Sequence, residues 1–243
     1  RRCRTACSVF GGRRGLGRES GLARKEFFDT DKDFRISEFL HFCSTLLVKE
    51  PKERGRAPAM VVFCAFDQQF ELIEKAKEYG LNGYINLVFR KNFSAQVLKA
   101  NMRIVGNCEY GLVLYRDKLP KFNNDGKMVF NCFDVERDNK TPKIHPTQKS
   151  VPLLETLIKI FTDEGEVVID PVAGSGTTLL AAINTNRSAY GFEIKKDFYA
   201  EASKMLADKL LTVEEVKKYG FDKTNMGKVS PSLFEHYEVS NRS

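Results

Sequence analysis

A chain of 243 residues, 42% hydrophobic and 29% charged, is long enough to bury one sizeable core and reads as one α/β domain with appendages. No apolar run approaches the roughly 20 residues of a membrane span and none of signal-peptide length lies behind the basic N-terminus, so no membrane partner and a cytoplasmic location are expected. The net charge of +7 is held by residues 1–25, with eight basic side chains and one acid, while residues 84–149 carry 12 basic and 6 acidic side chains. A polyanion footprint is therefore expected in that middle segment. The six cysteines (Cys3, Cys7, Cys43, Cys64, Cys108, Cys132) include no C-x-x-C pair, so neither a metal nor a disulfide framework is expected.

Residues 1–25, "RRCRTACSVFGGRRGLGRESGLARK", show neither helical nor strand period and are expected to be disordered. An incomplete or out-of-frame stretch is the simplest reading of this segment, and a phosphate-contacting arm the functional one. Asp29, Asp31 and Asp33 alternate like a calcium loop, but Phe34 and Leu40 stand where glycine and glutamate are required. Patterned sequence then begins. Phe34, Ile36, Phe39, Leu40, Phe42, Cys43, Leu46 and Leu47 recur at helical spacing; "MVVFCAF" (60–66) predicts a buried strand, "QQFELIEKAKEYG" a helix stopped at Gly80, and "GYINLVFRK" and "EYGLVLYRD" two more strands. The stretches at about 91–107 and 118–143 lack clear period, contain turn formers, and read as loop inserts on the scaffold.

The second half alternates more plainly. Helix "SVPLLETLIKIFT", strand "GEVVID", helix "SGTTLLAAINT", strand "SAYGFEI" and helix "KDFYAEASKMLADKLL" predict a parallel sheet with helices on both faces. A tail from about Thr212 holds one short helical candidate, "TVEEVKKYG". Between the first strand and second helix of this half lies "DPVAGSGTT", a strand end, an acid, and two glycines entering a helix. Such a turn places a ligand at the carboxyl end of the sheet. No lysine comes after Gly176, which removes a P-loop, and Leu179 stands at the third glycine position of a dinucleotide turn, where Asp170 would also repel a pyrophosphate. A cationic nucleoside without phosphate, such as S-adenosylmethionine, is compatible with both acids, and Glu193, 23 residues beyond Asp170, is placed to accept ribose hydroxyls.

"DPVAGSGTT" resembles the S-adenosylmethionine turn of the amino-group DNA methyltransferases, and "IHPTQKSVPLLETLI" is similar to the segment preceding it in the permuted members of that family. "GFEI" and "DFYAEA" are similar to the family's next strand and helix. The resemblance is specific over residues 144–206 and looser over 26–143. It implies a Rossmann-like α/β S-adenosylmethionine-dependent methyltransferase fold, a largely parallel sheet with an antiparallel hairpin and a small target-recognition insert, spanning about 26–211. It also implies that Asp170, Pro171, Ala173, Gly174, Ser175, Gly176 and Thr177 line the methionine part of the cofactor and Glu193 its ribose, with His145, Thr147, Gln148 and Lys149 on the adjoining loop. Ser150 replaces the usual proline.

The activity implied is methyl transfer to the exocyclic amino group of adenine (N6) or cytosine (N4) in double-stranded DNA, with the base flipped out of the helix. Basic residues of the inserts, Arg90, Lys91, Lys99 and Arg103 in one and Lys118, Lys121, Lys127, Lys140 and Lys143 in the other, are the expected phosphate contacts. The family's tetrapeptide of Asp, Asn or Ser, two prolines and an aromatic is missing, since the sequence contains no Pro-Pro. No catalytic residue is assigned on that account, and transfer by this chain is expected to be impaired. A degenerate fold that still binds DNA is the alternative; methylation of RNA or protein on the same fold is a second.

Overall fold

The computed structural model describes residues 5–9, 35–53, 55–93, 96–145 and 147–210. Its strands are β1 (Thr5–Val9), β2 (Ala59–Cys64), β3 (Gly83–Lys91), β4 (Gln96–Lys99), β5 (Ile104–Gly106), β6 (Cys108–Tyr115), β7 (Cys132–Val135), β8 (Val167–Asp170) and β9 (Ser188–Gly191). The helices are α1 (Ile36–Leu46), α2 (Gln68–Glu78), α3 (Val151–Phe161), α4 (Thr177–Asn184) and α5 (Lys196–Leu210). Seven strands form one sheet in the order β7-β3-β6-β2-β1-β8-β9, and β4 with β5 makes a separate hairpin. Only β6 runs against its neighbours, pairing antiparallel with β2 and β3.

Strand β2 shows why the sheet is covered on both faces. All six of its residues are buried. Ala59, Val61 and Phe63 join a core with α3 and α4, while Met60, Val62 and Cys64 join a second core with α1 and α2. A period of two on a strand apolar at every position demands a layer on each side. Helix α3 buries Val151, Leu154, Leu157, Ile158 and Phe161, and α1 buries Phe39, Leu40 and Cys43. Phe42, expected in that stripe, is instead 38% exposed and meets Phe192 edge-on at 5.6 Å.

Helix stops obey local chemistry. Gly80 (φ 73°) ends α2, with its N–H bonded to Lys77 O and that of Leu81 to Ala76 O. Asn186 (φ 59°) ends α4 with the same pair of bonds from Asn186 N to Ile183 O and Arg187 N to Ala182 O. Both are the double reversal in which a left-handed residue lets the chain satisfy the last carbonyls.

Three features differ from the sequence expectation. The backbone of Thr5–Val9, inside the segment read as disordered, is strand β1, in parallel register with β2 along its whole length and with β8 at Thr5 and Ala6. The 91–107 insert is not a plain loop but the β4–β5 hairpin with a 3₁₀ turn at Ala100–Met102. The 118–143 insert contributes β7, parallel to β3, and is pinned at its start by the Lys121 N–H to Ala57 O and the Asn123 N–H to Ile160 O. The candidate helix beyond Thr212 lies outside the described residues. Among the described residues no helix is long and apolar enough to cross a membrane.

Candidate functional site

Strands β2, β1, β8 and β9 are parallel, so their carboxyl ends share one edge of the sheet. From β8 the chain proceeds outward to β9, and from β1 outward the other way to β2. The order therefore reverses between β1 and β8, and in an open α/β sheet the crevice above such a reversal receives the ligand.

The turn "DPVAGSGTT" fills that place. Gly174 and Gly176 have φ of 53° and 73°, a conformation L side chains rarely adopt. Their surroundings differ. A Cβ on Gly176 would lie 3.1 Å from Ala202 Cβ, so this glycine lets the turn pack on α5. A Cβ on Gly174 would sit at ordinary contact distance from the His145 ring, 3.8 Å from Cδ2, so the site has room for a Cβ but is flanked by His145. On the neighbouring strand, a Cβ on Gly191 would come within 2.7 Å of Leu179 Cδ1 and 3.0 Å of Ala173 Cβ, which seats β9 tightly against the turn.

The turn's amide groups are already engaged: Ala173 N–H donates to Phe192 O (2.8 Å), Gly176 N–H to Ala173 O (2.8 Å) and Gly174 N–H to Glu193 Oε2 (2.8 Å). A phosphate would have to displace a carboxylate from Gly174, which disfavours anionic ligands here. Glu193 Oε1 also accepts from the Lys195 N–H at 2.8 Å, so the residue is held facing the turn from the end of β9.

Asp170, 1% exposed, ends β8. Its Oδ1 accepts from the Val172 N–H at 3.1 Å, while Oδ2 is buried with no hydrogen-bond partner. Burial pushes the carboxyl up to about 6, against the Thr178 hydroxyl and the Val172 N–H, with Glu193 adding repulsion. A buried carboxylate oxygen with no partner at the head of this turn is suited to a cationic or donor-bearing ligand. Ala173, Ser175 and Thr177 are buried, and the Ser175 and Thr177 hydroxyls lie 3.4 Å apart; Pro171 is half-buried.

The loop before α3 is cross-braced. Gln148 Oε1 accepts from the Ile144 and His145 N–H groups (2.9 and 3.4 Å), and its Nε2 donates to Pro142 O (2.9 Å). His145 Nδ1 accepts from the Thr147 N–H (3.2 Å) and lies 3.0 Å from the Thr147 hydroxyl; its ring meets Phe198 edge-on at 4.5 Å. Burial lowers the His145 pKa, Glu193 raising it less, so the ring stands at the glycine turn as a neutral acceptor and donor. Asp138 holds the loop's far end, its Oδ2 accepting from the Val151 N–H at the start of α3 (3.2 Å).

Lys149 follows on the same loop and packs near the carboxyl end of β2. Its ammonium bonds Glu109 Oε2 at 2.8 Å and lies 4.9 Å from the centre of the Phe63 ring, with its side chain 12% exposed. Burial pulls its pKa down, with Glu109 opposing. Glu109 also pairs with Lys91; burial raises the Glu109 carboxyl, but the two ammonium groups outweigh it and hold it below the ordinary range.

The expected phosphate contacts divide. Arg90 is exposed and forms a two-pronged pair with Asp134 (2.6 and 2.8 Å), and Lys91 is committed to Glu109. Lys118 donates to Pro51 O at 2.8 Å, and Lys121, 9% exposed, pairs with Asp163. Pro120 bridges to Ala57 just before β2, so Lys118 and Lys121 sit toward the amino edge of the sheet. Arg103 (φ 53°), Lys127, Lys140 and Lys143 are exposed and form no ion pair with a described carboxylate. Lys99 lies on β4.

Two residues escaped sequence reading. Glu109 has no local signal, because its partners are 18 and 40 residues away. Ile194, 85% exposed immediately after Glu193, is an apolar side chain at the carboxyl edge, and its position after the acid was the available clue.

A family model described as DNA methylase, of the N6/N4 methyltransferase type, matches residues 17–204. The DNA adenine methyltransferase YhdJ of Escherichia coli (strain K12) is 30% identical over 173 residues, 67% of this chain and 54% of that one. The type II methyltransferase M.HpaI of Haemophilus parainfluenzae is 41% identical over 78 residues, 32% of this chain and 25% of that one. The chain thus spans between about a fifth and three fifths of the length of the curated relatives it matches. The crystal structure of the M1.HpyAVI–SAM complex superposes with a TM-score of 0.64 at 23% identity, over 84% of this chain and 89% of that one, a likeness of fold.

Proposed function

Because the chain belongs to the N6/N4 DNA methylase family, we propose that it transfers a methyl group from S-adenosylmethionine to the N6 amino group of adenine or the N4 amino group of cytosine in double-stranded DNA, as in restriction–modification. The observation that carries this reading is the buried, unpartnered Oδ2 of Asp170 at the strand end that leads into the glycine turn. When bound, the cofactor supplies an electrophilic methyl group on a sulfonium, and the amino nitrogen that accepts it gives up one proton. Asp170 offers a desolvated negative charge to the cationic amino-acid end. Glu193 exchanges the Gly174 N–H for the ribose hydroxyls, Ile194 offers an apolar surface to the purine, and His145 closes the glycine side. Arg103, Lys127, Lys140 and Lys143 are the cations available for DNA phosphates. The group that receives the amino proton and holds the target base is not assigned, and the sequence contains no Pro-Pro pair.

Calorimetric titration with S-adenosylmethionine, compared between the wild-type chain and Asp170→Ala, tests the cofactor assignment, and equal affinity in the two would count against it. Transfer of labelled methyl groups to duplex DNA in preference to RNA tests the substrate. Tight cofactor binding and DNA binding without transfer would favour the second reading, a degenerate methyltransferase fold that binds DNA.

A further inference from the structure

Glu109 stands where two separate parts of the molecule meet. It lies at the start of β6, at the neck of the β4–β5 insert, which is closed by the Lys91 N–H to Asn107 O (2.8 Å) and the Asn107 side chain to Lys91 O (3.1 Å). Its Oε1 takes the Lys91 ammonium from that neck, and its Oε2 takes the Lys149 ammonium from the loop that carries His145. Between Lys149 and His145 the loop is stiffened by Gln148 and Thr147, and the His145 ring lies 3.8 Å from where a Cβ on Gly174 would stand. Hydrogen bonds and ion pairs therefore run from the insert neck through Glu109 and Lys149 to the loop of His145, whose ring lies beside the glycine turn.

We propose that Glu109 is a positioning residue, a clasp that sets the β4–β5 insert relative to the cofactor loop, so that occupation of the glycine turn is felt at the neck of the insert. The proposal rests on the cofactor reading above and adds a direction of coupling to it. A carboxylate shared by two half-buried cations is suited to this task, because moving either lysine away leaves the carboxylate short of a donor and changes its hold on the other. Lys91 also lies 5.8 Å from the centre of the Phe93 ring, which Arg137 approaches at 5.5 Å from the other insert.

Hydrogen exchange of the Lys91 and Asn107 amides, with and without S-adenosylhomocysteine, reads the coupling without needing turnover. In the wild-type chain the ligand is expected to slow these amides about tenfold; in Glu109→Gln that slowing should vanish while the calorimetric affinity for the ligand changes less than threefold. Glu109→Gln combined with Lys149→Met, which removes a cation together with the carboxylate, guards against a mere folding defect and should likewise lose the slowing while unfolding as a single transition. Equal slowing in wild type and variants overturns the clasp and leaves the cofactor reading intact. No calorimetric binding to the wild-type chain overturns both.

Discussion

Replacing Asp170 with asparagine should make the ligand-free protein more stable and the site worse. Asp170 is 1% exposed, with one oxygen unpartnered, and its carboxyl lies at about 6 where an ordinary aspartate lies at 3.8. At roughly 1.4 kcal/mol per pH unit, that separation means the ionised group costs the fold about 3 kcal/mol. The sign is set by proton uptake. Below 3.8 both states are protonated and nothing is lost; between 3.8 and 6 the unfolded chain ionises first and stability falls as pH rises; above 6 the full penalty applies. Asparagine does not titrate, keeps an oxygen for the Val172 N–H, and so escapes it. Urea unfolding at pH 8 should show Asp170→Asn more stable by about 2–3 kcal/mol, a gain that shrinks toward zero as pH drops through 6 to 4. The same substitution should weaken S-adenosylmethionine about 10- to 100-fold, the worth of a charge-assisted bond of roughly 1.5–3 kcal/mol. Equal stability at pH 8, or a gain independent of pH, would refute the reasoning whatever the ligand does.

The two glycines of the turn should separate by assay. Gly174→Ala carries only left-handed strain, about 1–2 kcal/mol, and should lower cofactor affinity more than tenfold with a modest loss in thermal melting; Gly176→Ala adds a contact at 3.1 Å to Ala202 and should cost more stability. Leu154→Ala, fully buried on α3 in the larger core, should cost about 2–5 kcal/mol in denaturant unfolding without a selective effect on ligand affinity. For DNA, Arg103→Ala and Lys140→Ala should each flatten the slope of log affinity against log salt by about 1, whereas Lys118→Ala, toward the amino edge, should leave it unchanged.

How much was legible depended on how far each signal reached along the chain. Helices α1 to α5 and strands β2, β3, β6, β8 and β9 announce themselves through period and stop signals a few residues long, as at Gly80. The glycine turn was legible because a strand end with an acid followed by two closely spaced glycines is a local signal, and Gly174 and Gly176 are both left-handed. Strand β1 was not, since five residues among arginines carry no period; it is a strand because β2 and β8 both present parallel edges to it. Strand β7 was hidden for the same reason, four residues recruited by the edge of β3.

Hydrophobic period and backbone conformation are local properties, so the α/β layering and the glycine turn could be read along the chain. Which charges pair with one another could not, and is decided by packing in three dimensions. Lys149 pairs with Glu109, Lys118 and Lys121 lie toward the amino edge, and Asp170 keeps an unpaired oxygen. An ionic partner is set by proximity in space, and the partners of Glu109 lie 18 and 40 residues away, beyond any pattern the chain can display along its length.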